Sequence, residues 1–154
     1  MDDDWKLPWE GGCRCGAGRF RVTTPPMLSS ACHCTGCQRM TASAFTLSLG
    51  LAADGFEITK GEPVLGGVGE PPIHHHCPHC KSWMFTRPLE PARFVNLRTT
   101  MLDDHAWAQP FVEIYRREGF AWAATGARHS FEAVPGDAAI GPITAEYAAE
   151  GARP

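Results

Sequence analysis

The sequence predicts a single domain that is mainly β, and three observations support this prediction. The chain has 154 residues, close to the roughly 150 of a typical domain. Its 16 Gly and 13 Pro residues are spread along the chain, so most segments between them are too short for long helices. Residues 43–51 alternate Phe45, Leu47, Leu49 and Leu51 with small or polar residues, the period of a strand with one buried face.

Five further short segments have the apolar and β-branched content of strands. Frequent breakers separate them, which favours several small, coiled antiparallel sheets over one long regular sheet. In chain order the predicted strands are 19–23, 43–51, 56–59, 83–86, 94–99 and 111–115.

The composition changes after Phe131 to one rich in Ala, Gly and Pro. Only residues 144–150, TAEYAAE, have a composition that favours a short helix. The sequence therefore predicts one domain over residues 1–135 and an appended tail over 136–154.

Charge and hydropathy predict a soluble protein that stays in the cytoplasm. Hydrophobic residues make up 44% and charged residues 20% of the chain, and no stretch approaches the roughly 18 apolar residues of a membrane span. The N-terminal segment carries three Asp residues where a secretory signal has basic ones. The net charge is −3 and the basic residues are scattered, so a nucleic-acid partner is disfavoured.

The seven cysteines are the strongest functional signal. Seven cannot all pair within one chain, and a reducing compartment disfavours disulfides, so metal ligation becomes the leading interpretation. C-x-C and C-x-x-C spacings both suit a chelating turn. The residues form three clusters: Cys13 with Cys15; Cys32, Cys34 and Cys37; and Cys77 with Cys80.

Zinc ligand counts favour a division of these residues into four plus three. Structural zinc takes four protein ligands, whereas catalytic zinc commonly takes three and keeps an open position. Joining the first cluster to the third gives a closed site, and the middle cluster becomes an open one. The alternative, which completes a site from Cys77, Cys80 and two middle cysteines, strands three cysteines without a shared geometry.

The two predicted sites differ in chemistry. A closed four-cysteine site would clamp residue 13 to residue 80 and stabilise the fold. Three thiolates make the other zinc a weak generator of hydroxide but a good partner for an incoming sulfur. We therefore expect two zinc ions per chain, the second activating a small thiol as its thiolate.

Other interpretations of the cysteines stay open at this stage. Both sites are structural if a histidine completes the second one, and the candidates are His33, His74, His75, His76 and His79. Cys34 and Cys37 form a thioredoxin-like pair in another interpretation, although no βαβ pattern surrounds them. The three-cysteine cluster also suits a redox or metal-buffering site.

Three segments together resemble a known family. They read EGGCRCGAGRF, ACHCTGCQRMTASAF and HCPHCKSWMFTRP. In this order they are similar to the glutathione-dependent formaldehyde-activating enzymes, which include the centromere protein V type of domain, over residues 9–131. The resemblance implies a β-tent fold and a carbon–sulfur lyase that joins glutathione and formaldehyde in S-hydroxymethylglutathione.

The resemblance also assigns roles to individual cysteines and shows two departures. It implies that Cys13, Cys15, Cys77 and Cys80 are structural zinc ligands and that Cys32, Cys34 and Cys37 are catalytic ones. The family usually has Gly where this chain has Ala42 and Lys81. If the glycine that Lys81 replaces has a positive φ, the lysine changes the turn, at a modest cost where the side chain is accommodated.

Substrate contacts and the rival function rest on fewer residues. Glutathione carries two carboxylates, and Arg39 is the nearest candidate in sequence to bind one, with a plain surface arginine as the alternative. Trp83 and Phe85 suit either a pocket or the core. His33 is the nearest candidate for a general base.

The rival class is a zinc-stabilised binding module without chemistry. In its nucleic-acid version, Arg14, Arg19 and Arg21 would contact the phosphate backbone.

Overall fold

A computed structural model describes residues 3–87 and 93–154 of the chain and confirms that the fold is mainly β. Two α-helices and eleven strands occur within these described ranges. In chain order they are β1 Trp9–Gly12, β2 Arg19–Val22, β3 Leu28–Cys32, α1 Thr35–Thr41, β4 Thr46–Ala52, β5 Phe56–Lys60, β6 Val64–Gly66, β7 Ile73–His76, β8 Trp83–Arg87, β9 Phe94–Arg98, β10 Val112–Ile114, β11 His129–Ser130 and α2 Asp137–Glu150.

All six predicted strands correspond to observed ones, with shifts of up to three residues at their ends. The structure places β2, β4, β5, β8, β9 and β10 at those positions. The other five lie outside those six segments. β1 contains two glycines and β3 reads LSSAC, so neither has a strong apolar alternation, and both form because neighbouring strands pair with them.

The strands form a three-stranded and an eight-stranded sheet. The first has the order β1-β2-β5 and the second the order β11-β10-β3-β4-β9-β8-β7-β6. Most pairs are antiparallel as predicted, but β10 lies parallel to both β3 and β11. The main hydrophobic core includes Phe20 and Phe56 from the smaller sheet and Leu49 and Leu97 from the larger one, so it lies between the two sheets.

The C-terminal helix is longer than predicted and packs on the sheet. It begins at Asp137 rather than at residue 144, despite Gly141 and Pro142. Ile143 and Tyr147, four residues apart, are buried in a second hydrophobic cluster with Trp5 and Phe111. This apolar stripe outweighs the poor local helix propensity, and it ties the predicted tail to the rest of the chain.

Two further sequence predictions meet the limits of the described structure. The predicted domain range 1–135 includes residues 1–2 and 88–92, which lie outside the described residues. The division between this domain and the tail over 136–154 stays a prediction. In the described ranges no helix combines the length and apolar character needed to cross a membrane.

Candidate metal centres and the adjoining cavity

Four cysteines from distant parts of the chain converge in the arrangement that the spacing predicted. The sulfur atoms of Cys13, Cys15, Cys77 and Cys80 all lie within 4.8 Å of one another. The Cys13 and Cys15 sulfurs are 3.6 Å apart, and those of Cys15 and Cys77 are 3.8 Å apart. Tetrahedral ligation with zinc–sulfur bonds of about 2.3 Å requires sulfurs about 3.8 Å apart, so this cage fits a zinc ion.

Local turns position these four sulfurs. The backbone N–H of Gly18 donates to the Cys13 sulfur at 3.2 Å. On the other side, the N–H of Lys81 donates to the Cys77 carbonyl at 3.0 Å and closes a tight turn. Lys81, at a position where the family pattern has Gly, has a φ of 62°, so the condition under which a side chain strains this turn is met.

The remaining three cysteines also converge, at the junction of β3 and α1. Cys32 ends β3, Cys34 caps α1, and Cys37 lies in its first turn. Their sulfurs lie within 4.8 Å of one another, and the Cys37 N–H donates to the Cys34 sulfur at 3.3 Å. The helix ends at Ala42 in the left-handed region, with a φ of 50°. This is the second position at which the family pattern has Gly.

Charge is shared unevenly among the three thiols. A hydrogen bond with Cys32 and the positive charge of Arg98 hold the pKa of Cys37 below its usual value. The same hydrogen bond, together with burial, raises the pKa of Cys32. One thiolate thus forms readily, and a cation at the centre would favour ionisation of the other two.

A cavity of about 450 Å³ lies near the three-cysteine group, and none of the three cysteines is among its described lining residues. Its wall runs from the end of α1 and the start of β4 to the turn after Cys80. Two of its lining residues connect it to the cysteines: Thr46 pairs with Cys32 across the strands, and Arg98 affects the Cys37 thiol. Arg98 and Lys81 are the charged residues among its described lining, which contains no carboxylate.

Arg98 is a candidate site residue that the sequence did not reveal. It is 7% exposed at the end of β9, and its guanidinium carbon lies 4.2 Å from the centre of the Trp83 ring. Nη2 donates to the Asn96 carbonyl at 3.2 Å, while Nε is buried without a hydrogen-bond partner in the described structure. Burial lowers the pKa of Arg98 to about 10. The sequence signal that could have indicated Arg98 is its position as a charged residue inside the predicted strand 94–99.

The predicted substrate-contact residues have different positions. Arg39 is exposed on α1 and is not among the cavity-lining residues, so its binding role stays a prediction. Trp83 is buried and also lines the cavity. Phe85 belongs to the hydrophobic core, which was one of the two roles expected for it from the sequence.

His33 is turned to partners outside both cysteine groups. Its Nδ1 lies 3.1 Å from Nη1 of Arg116, which can only donate, so Nδ1 accepts. Nε2 therefore carries the proton and donates to Glu113 at 3.1 Å. Both ring nitrogens are occupied, and burial lowers the pKa of His33. The ring is thus poorly placed as a fourth ligand or as a general base.

The other candidate histidines do not complete a metal site either. His74, His75 and His76 lie in β7, and all three are half-buried. His75 stacks on Phe85 with ring centres 4.5 Å apart. Across residues 3–87 and 93–154, no histidine nitrogen joins either cysteine group.

Glu113 is a second functional-looking residue that the sequence did not reveal. This buried carboxylate accepts hydrogen bonds from the N–H and hydroxyl of Thr125, from the Ser130 hydroxyl and from His33. Burial alone would raise its pKa, but these donors hold the pKa below its usual value. The network fixes the segment between Cys32 and Cys34 against β10.

Comparisons with known proteins point to one family. The family model for the glutathione-dependent formaldehyde-activating enzyme matches residues 8–118, which include all seven cysteines. A Halomonas elongata protein named as a putative glutathione-dependent formaldehyde-activating enzyme is 36% identical over 87 residues. That match covers 49% of this chain and 55% of the relative, so the chain spans about half of the relative's length.

A solved structure is also similar in part. A crystal structure of a Rhodobacter sphaeroides protein covers 61% of this chain and 87% of its own, with 17% identity and a TM-score of 0.49.

Proposed function

Because this chain belongs to the glutathione-dependent formaldehyde-activating enzyme family, we propose that it is a zinc-dependent carbon–sulfur lyase. Its substrates would be a small thiol, glutathione or an analogue, and a small aldehyde. The sulfur adds to the carbonyl carbon, the thiol proton ends on the carbonyl oxygen, and the reverse reaction breaks the same carbon–sulfur bond. We place this activity in the cytoplasm, where such a thiol is reduced.

The four-cysteine group is assigned a structural zinc. Four sulfurs within 4.8 Å of one another would occupy all four positions of a tetrahedral zinc ion and leave no open position for a substrate. Because residues 13 and 80 come from different sheets and turns, closing this cage would stabilise the packing between them.

The three-cysteine group is assigned the catalytic zinc. A zinc bound there would supply Lewis acidity that keeps a coordinated substrate thiol ionised near neutral pH. Cys32, Cys34 and Cys37 offer three of four tetrahedral positions. Met40 and Phe45 form part of an apolar wall of the adjoining cavity, and this wall would restrict water around the reacting sulfur.

One observation carries the proposal: three sulfurs within 4.8 Å of one another lie beside a cavity large enough for a small-molecule substrate. A purely structural site would be expected to have a fourth protein ligand, and none is present in the described residues. Two zinc ions per chain are expected.

The rival nucleic-acid module has less support. Arg19 donates to Asp103 at 2.9 Å, and Arg21 pairs with Glu10 at 2.7 Å. Arg14 is exposed, but the two others already face carboxylates, which weakens the positive potential that a phosphate backbone would need.

The test is a pair of matched serine substitutions, one in each cysteine group. In Cys34→Ser we expect turnover of glutathione and formaldehyde to fall to the uncatalysed rate, with the circular dichroism spectrum of the folded protein retained. In Cys80→Ser we expect a loss of folding stability, because the closed cage is broken. Full activity in the Cys34→Ser protein would refute thiol activation at the three-cysteine site.

A further inference from the structure

Arg98 combines three properties that are rarely found together in a residue with only a structural role. It is nearly fully buried, its Nε has no hydrogen-bond partner in the described part of the chain, and it lines the cavity beside the three-cysteine group. A buried guanidinium without a carboxylate partner is costly, so such a group is usually balanced by a ligand or by nearby negative charge.

The thiols of the three-cysteine group offset only part of the buried positive charge of Arg98. They interact with Arg98 through charge, but no hydrogen bond joins Arg98 to a cysteine in the described structure. Its hydrogen bond within residues 3–87 and 93–154 is to the Asn96 carbonyl, and the Trp83 ring covers one face of the guanidinium. The fork of the guanidinium therefore keeps donors for a further acceptor.

The rest of the cavity matches an anionic acceptor. Lys81 also lines the cavity, at the turn after Cys80, and is exposed. Its amino group donates to the Pro78 carbonyl at 2.6 Å, and its two other N–H donors have no partner among the described residues. With two cations and no carboxylate among the described lining residues, the cavity favours a negatively charged ligand.

We propose that Arg98, with Lys81 in the lining of the same cavity, forms an anion-binding subsite that selects thiols bearing a carboxylate. This inference rests on the proposed function and sharpens it. The substrate sulfur would lie at the three-cysteine site while a carboxylate of the same molecule pairs with the Arg98 guanidinium. A neutral thiol of similar reactivity would lack the second contact and bind less tightly.

The first experiment needs no variant. Calorimetric titration of the zinc-loaded protein compares glutathione with its diethyl ester, which keeps the thiol but loses both negative charges. A charge-assisted pair at a buried site typically contributes about a 10- to 100-fold difference in affinity. We expect the ester to bind at least 10-fold more weakly. Equal affinity of the two ligands would overturn the proposal.

The second experiment localises the effect. Arg98→Gln removes the charge at nearly constant size, Arg98→Lys restores it, and Arg117→Gln makes the same charge change at an exposed residue outside the cavity lining. Of the three variants, we expect only Arg98→Gln to lower the affinity for glutathione at least 10-fold, toward that of the ester, with 2-mercaptoethanol affected less than twofold. An equal loss for both thiols would mean that Arg98 acts through the cysteines, and the subsite would be refuted.

S-methylglutathione separates this proposal from the proposed function. It keeps both carboxylates but has no free thiol, so it probes the subsite without thiol activation. If it binds the wild-type protein and not Arg98→Gln, the subsite holds even where no turnover is found. If free thiols bind and turn over but S-methylglutathione competes with none of them, the subsite is wrong and the lyase assignment stands.

Discussion

Replacement of Tyr147 by Ala tests whether the C-terminal helix is part of the folded domain. Tyr147 is 1% exposed and packs between Trp5 and Phe111, with ring centres 6.1 and 5.4 Å away. Truncation of a buried aromatic side chain of this size costs about 3–5 kcal/mol of unfolding free energy. A loss of that order in Tyr147→Ala is expected, because the truncated side chain would leave a new cavity between α2 and the sheet.

The matched variant Tyr147→Phe separates packing from hydrogen bonding. The Tyr147 hydroxyl is buried without a partner in the described structure, and burial raises its pKa. Removing an unpartnered hydroxyl should leave stability unchanged or raise it by up to about 1 kcal/mol. Urea denaturation of the zinc-loaded proteins measures both changes. A loss below about 1 kcal/mol in Tyr147→Ala would show that the helix contributes little packing and would refute this reasoning.

Two further predictions concern the backbone and the buried carboxylate. Ala42→Gly should raise the unfolding free energy by about 0.5–1 kcal/mol, because glycine adopts the left-handed conformation of this residue without strain. The control Ala44→Gly, at a residue without a positive φ, should lower the unfolding free energy. Equal effects of the two substitutions in urea denaturation would contradict this prediction. Glu113→Ala should lower the unfolding free energy by about 3–5 kcal/mol, because it leaves His33 and Arg116 without their carboxylate partner. Glu113→Gln should lower it less. A loss below about 1 kcal/mol in the alanine variant would contradict a stabilising role of this hydrogen-bond network.

The sequence was most informative where chemistry restricts the residues. Cysteine spacing and zinc ligand counts predicted both groups, including the long-range pairing of Cys13 with Cys77. The alternation in 43–51 predicted β4, and the comparison with the family pattern pointed to the positive φ at Lys81.

Other features depended on contacts between distant residues, which sequence patterns do not encode. Nothing near Arg98 in sequence shows that β4 and β9 pair, which places its guanidinium beside the cysteine group. The Glu113–His33 contact joins residues eighty positions apart. Helix α2 was underestimated because Gly141 and Pro142 argued against it locally, while the burial of Ile143 and Tyr147 favoured it through packing.

The zinc content of untagged protein, purified without chelators, tests the central claim most directly. Elemental analysis before and after addition of a slight excess of glutathione gives the number of ions per chain. The account predicts two ions in the wild-type protein, both retained with glutathione, and one in Cys34→Ser. A ratio of one that excess zinc does not raise would show that Cys32, Cys34 and Cys37 do not form a zinc site, and it would contradict the assignment of this chain as a thiol-activating enzyme.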